Sequence, residues 1–266
     1  MISNIITFYI NSKYRTSGTT DNFNYVIDTL PDYINACSVS NITIPKTYYL
    51  INESNATFKL VITDTITNIP TSYFLALDYG NYDETQIYSS LQDLMNNAQS
   101  NIIFTVEALT LNYDTGKMRI FYTENNYDVN LFIYADSDIN EIFGLDKGDN
   151  LFVAKSLTSK YIMNLNNENN LYLNSNIVRN EINNYNWANV LCAVYAHDMQ
   201  YLWFFSQTFD IYTNMKKCDP SNNNLSFSLV NEQGRRINLN NIDFSFTLHF
   251  FKDNWKLYNK FNDFIN

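Results

Sequence analysis

The sequence predicts an all-β protein with one or two short helices, and three observations carry that prediction. Short runs that alternate apolar and polar residues recur from end to end, the period of a half-buried strand. Aromatic residues make up 16% of the 266 positions, led by 21 Tyr and 19 Phe, and aromatic side chains suit a pleated, half-buried surface. Turn signals such as residues 112–116 and 231–234, each ending on Gly, separate the runs at the spacing of an antiparallel sandwich or barrel.

Taken in order, the predicted strands are residues 7–10, 23–27, 39–44, 58–62, 72–77, 104–109, 118–122 and 129–134. The series continues with 171–173, 190–195, 208–212, 225–230 and 244–250. One helix interrupts it. Asp83 followed by Gln86 forms a variant capping box, and Ile87, Leu91, Leu94 and Ala98 recur at helical spacing to give one apolar stripe. A second short turn of helix over 138–143 would stop at Gly144, where a left-handed cap costs nothing. Trp255, Tyr258 and Phe261 stand three apart in the tail, as a short helix or an extended arm. The Asn-rich run 164–176 is a loop and the nearest approach to a domain boundary.

Composition narrows the function. The formal net charge is −10 and the sequence pI about 4.6. Phosphate binding calls for a basic patch, and the chain has no cationic run longer than Lys216-Lys217 or Arg235-Arg236, so direct nucleic-acid binding is not expected. No apolar stretch approaches the roughly 20 residues of a membrane span. The opening residues lack a basic start and a small-residue cleavage site, so they read as a first strand rather than a signal peptide. The glycosylation patterns at Asn52 and Asn55 then carry no weight. Cys37, Cys192 and Cys218 are odd in number and widely spaced, which fits a reducing compartment and neither a disulfide nor a zinc framework. Charged residues are only 17% of the chain, while Asn supplies about one residue in six against a typical few per cent. A surface of neutral amides and tyrosines suits close packing against neighbours.

Catalytic chemistry finds little support. His249 falls inside an alternating strand, and His197-Asp198 follows one. Pairing Cys192 with His197 would need an orienting third group and a depressed thiol pKa, and nothing local supplies them. The segment Asp136-Ser-Asp138-Ile-Asn140 opens like a calcium loop, yet Glu141 and Lys147 stand where Gly and Glu are required. The expectation is a non-enzyme with no cofactor and no metal.

Several segments, in order, resemble the vertex (penton) capsid proteins of virophages, polinton-like elements and related large DNA viruses. They are the Arg/Gly loop from Asn11 through Arg15 to Gly18 ahead of the strand 23–27, and the stretch 42–52 with Pro45, Tyr48, Tyr49 and Asn52. Tyr79-Gly80-Asn81-Tyr82 directly before the capped helix, Glu141 to Leu145 around Gly144, and the hairpin 229–239 around Gly234 complete the series. The resemblance implies an antiparallel jelly-roll β-sandwich over 1–266 with extra strands, the surplus forming an added hairpin layer or an inserted β subdomain around 56–150. It implies a virion protein, assembled in the host cytoplasm, that forms homopentamers at icosahedral vertices beside the major capsid protein. Subunit contacts are expected from Trp255, Tyr258 and Phe261. The alternatives are a minor (cement or peripentonal) capsid protein, or a module that attaches to host-surface glycans through exposed Tyr and Asn.

Overall fold

The computed structural model describes residues 3–110, 114–166, 168, 170–178, 189–196, 204–211, 215–219, 221 and 223–252. The chain divides into two compact units, the first comprising Met1–Tyr48 with Glu168–Asn266 and the second Tyr49–Asn167. In chain order, the first unit opens with β1 (Ser3–Asn11), β2 (Ser17–Gly18), β3 (Asn22–Val26) and β4 (Ala36–Pro45). The second unit contains β5 (Thr57–Asp64), β6 (Ile69–Ala76), α1 (Glu84–Ala98), β7 (Phe104–Thr110) and β8 (Asp114–Tyr122). It ends with β9 (Tyr127–Ile133), α2 (Ile139–Phe143), β10 (Gly148–Leu151) and β11 (Ser156–Thr158). The chain then completes the first unit with β12 (Asn170–Ser175), β13 (Val190–Tyr195), β14 (Phe204–Thr208), β15 (Lys216–Lys217), β16 (Asn224–Val230) and β17 (Ser245–Lys252).

The first unit is a sandwich of two antiparallel sheets. One has the order β1-β17-β4-β14, with β15 also on β4, and the other the order β13-β12-β16-β3-β2. Lettering the eight long strands B to I in chain order turns these into B-I-D-G and F-E-H-C. That is the strand order of a jelly roll, two Greek keys folded face to face. The alternation in the sequence explains the two layers. On β16, Leu225, Phe227 and Leu229 are buried while Ser226 and Ser228 are half-buried. On β17, Phe246, Leu248 and Phe250 belong to the same core as Phe23 and as Val39, Ile42 and Ile44 of β4. Phe227 meets Phe246 edge to face with ring centroids 4.9 Å apart, and Phe23 lies 5.5 Å from Phe227. Aromatic pairs of this kind add about 0.5–1.5 kcal/mol beyond the area they bury.

The second unit has its own core. Its four-stranded sheet runs β10-β9-β5-β6 and its three-stranded sheet β11-β8-β7. Phe58, Leu60 and Ile62 of β5, Leu131 of β9, Phe104 of β7 and Ile120 of β8 form one cluster with Ile87, Leu91 and Met95 of α1. α1 begins as its sequence requires: Asp83 accepts from the Gln86 N–H at 2.8 Å, and the Gln86 side chain accepts from the Asp83 N–H at 3.0 Å. Its buried stripe is Ile87, Leu91 and Met95, with Leu94 and Ala98 only partly covered. The helix also caps a sheet edge. Asn96 both donates to the Phe104 carbonyl (3.1 Å) and accepts from its N–H (2.7 Å), and Gln92 accepts from the Val106 N–H (3.1 Å). Two amides one turn apart thus satisfy groups that β7 would otherwise expose as an edge strand.

Candidate functional site

The corner between β1 and β2 is built around Arg15. Its Nη1 donates to the Ser12 carbonyl at 2.8 Å and to Asp243 Oδ1 at 3.3 Å, and its Nε donates to the Gly18 carbonyl at 3.2 Å. Ser12 Oγ donates to the same Asp243 oxygen at 2.8 Å, and the Phe244 N–H donates back to Ser12 Oγ at 3.1 Å. Gly18 has φ +96°, and an added Cβ would lie 2.3 Å from the Asn22 carbonyl, so the turn accepts only glycine. Tyr14, 67% exposed, projects from this fixed corner.

The segment before β17 closes on the end of β4. Thr47 Oγ1 donates to the Leu239 carbonyl at 2.7 Å, and the Asn240 side chain bonds the Thr47 carbonyl. The turn after β16 folds around Asn231. Its Oδ1 accepts from the N–H groups of Gln233 (3.1 Å) and Arg235 (2.9 Å), and its Nδ2 donates to Glu168 at 2.7 Å. In the second unit, Asn81 accepts from the Leu50 N–H at 2.8 Å just before α1. Gly144 ends α2 at φ +66°, with the Tyr161 carbonyl 2.3 Å from any added Cβ. Each of the five segments that carry the resemblance therefore contains a hydrogen-bonded turn, corner or helix end.

Of the residues considered for catalysis, Cys192 and His249 are occupied by structure. Cys192 is buried, and burial alone pushes its thiol up to about 12, far from a reactive thiolate. The Cys37 thiol is also raised, first by contact with the Cys218 thiol and then by burial. His249 bonds Thr7 Oγ1 at 2.9 Å through Nδ1 and Ser40 Oγ at 2.7 Å through Nε2. In the segment that opens like a calcium loop, Lys147 Nζ sits 3.4 Å from Asp138 Oδ1 and donates to the Ala135 carbonyl at 2.9 Å. An ammonium stands there where the calcium motif would need its last carboxylate. Among the described residues, no three His, Cys, Asp or Glu side chains are grouped to hold a metal, and no helix is long and apolar enough to cross a membrane. His197, Trp255, Tyr258 and Phe261 lie outside the described residues.

Large apolar side chains on the surface were not singled out by sequence. They include Tyr9 (80% exposed) on β1 and Phe74 (78%) on β6. Both sit at outward positions of strands that end their sheets. Alternation marks such residues as outward-facing, but only the strand order reveals that they lie at an edge.

No protein-family model matches the chain, and no curated protein does. Among solved structures, the mavirus penton protein superposes with a TM-score of 0.48 at 13% identity, over 94% of this chain and 100% of that one. The D1–D3 domains of the flagellar cap protein FliD from Escherichia coli superpose with a TM-score of 0.24 at 12% identity, over 86% of this chain and 58% of that one. The fold defines the class of the chain: an all-β protein built on a jelly-roll sandwich, with a second β unit between its third and fourth long strands.

Proposed function

We propose that this chain is a structural capsid protein, without enzymatic activity, that forms homopentamers at the vertices of an icosahedral virion and joins the major capsid protein around them. The observation that carries this reading is the B-I-D-G and C-H-E-F strand order, shared by many capsid proteins. The ordered resemblance of five sequence segments to vertex proteins supports it, and those segments build the fixed turns and corners of the molecule. A shell subunit requires no active site. It requires a stiff sandwich and two different flanks, because a five-membered ring closes through heterologous contacts. Few charged side chains lower the cost of burying those flanks.

In this reading the tail carrying Trp255, Tyr258 and Phe261 reaches a neighbouring subunit. The test is a chain ending at residue 254, compared with the full chain by circular dichroism and negative-stain imaging. The expected result is a folded protein whose five-fold rings are sparse or missing. Rings as abundant as those of the full chain would overturn the role of the tail. Images of the full chain without any five-fold ring would count against the vertex reading itself.

A further inference from the structure

The outer face of the B-I-D-G sheet holds one histidine bound to two neighbouring strands. In the pairing of β17 with β4, Thr247 faces Asn41 and Leu248 faces Val39, which leaves Ser40 as an extra residue. A bulge of this kind turns a side chain out of its regular direction. Here Ser40 Oγ meets His249 Nε2 at 2.7 Å, while Thr7 of β1 meets Nδ1 at 2.9 Å. One imidazole thus links β1, β17 and β4 across the sheet.

We propose that His249 is a proton-sensitive clamp on β1, so that protonation of its ring loosens the first strand from the B-I-D-G sheet. In the neutral ring one nitrogen donates and the other accepts, and the two hydroxyls match that pattern. An added proton makes both nitrogens donors. The hydroxyl that had donated must turn away, and a charge is placed on a half-buried ring. The groups facing it from β1 are Thr7 and, one pair along, Tyr9, and those from β4 are Ser38, Ser40 and Asn41. Thr247 and Phe251 share its strand, and beyond β4 the Phe209 N–H donates to the Ser40 carbonyl, with Asp210 next in the chain. None of the ion pairs among the described residues includes His249. Burial holds the imidazole below the ordinary histidine range. A folded value below the unfolded one makes the contribution of His249 to stability full above about pH 6.5 and lost as pH falls through the folded value.

The test uses the full chain and a His249→Gln variant, whose amide keeps one donor and one acceptor at every pH. Between pH 7.5 and 5.0 the melting temperature of the unchanged protein should fall further than that of the variant, by about 2 °C. Hydrogen exchange at Ile6, Phe8 and Ile10 should quicken in the unchanged protein alone. Parallel pH profiles for the two proteins would overturn the proposal. Should the variant fail to fold, a His197→Gln chain leaves one imidazole to follow by NMR. A titration midpoint below about 6.5 agrees with the proposal, and one at or above that value overturns it.

Discussion

Arg15 Nη1 lies 3.3 Å from Asp243 Oδ1, so the turn that follows the first strand is tied to a residue two positions before the last strand begins. The two residues are 228 positions apart, and β1 and β17, the strands they adjoin, are paired from Ser3 to Asn11. The pair thus locks a closure that has to form between distant parts of the chain.

Because both side chains keep about a third of their exposure, the ion pair itself is worth little. Most of the effect comes from the charge-assisted bonds to Ser12 and Gly18. Arg15→Ala and Asp243→Ala should each cost about 1–2 kcal/mol, read as a lower urea midpoint at unchanged slope. Midpoints equal to that of the unchanged protein would show that the corner closes without them.

Two glycines separate backbone strain from steric exclusion. Gly148 has φ +88° with nothing within 4 Å of an added Cβ, whereas at Gly144 the Tyr161 carbonyl would stand 2.3 Å away. Gly148→Ala should cost about 1–2 kcal/mol, the left-handed penalty alone. Gly144→Ala pays that penalty and must also displace backbone, so its melting temperature should fall clearly further. Equal losses would contradict the close approach at Gly144.

The three thiols should be silent in the native protein. Cys37 pairs in register with Lys216, which leaves Cys218 on the diagonal. Diagonal partners stand about 7–8 Å apart between Cα atoms, beyond the roughly 4.4–6.8 Å that a disulfide spans. Titration with an aromatic disulfide reagent at pH 8 should find no reactive thiol until denaturant is added, and then all three free cysteines. Rapid native labelling, or fewer than three thiols after unfolding, would contradict this packing.

Local features were legible in the sequence and long-range ones were not. α1 could be read because its cap and its apolar spacing lie within a few residues of each other. Gly144 could be read because a left-handed helix end is a local demand. β6 begins at Ile69 rather than at residue 72, since Pro70 hides the start of a strand that tolerates it at an edge. The pairing of β1 with β17, the bulge at Ser40 and the capping of β7 by Gln92 and Asn96 each depend on partners brought close only by folding. Alternation states that residue 40 lies in a strand, not that the register slips there and aims it at His249.

The proposed assembly of five chains into a ring is read out by the solution mass of the purified full chain. Light scattering across protein concentration and salt should converge on five times the chain mass of 31.1 kDa. Salt should favour the ring, because subunits of net charge −10 repel one another until screened. A mass of one chain, or of three, under every condition would contradict the account.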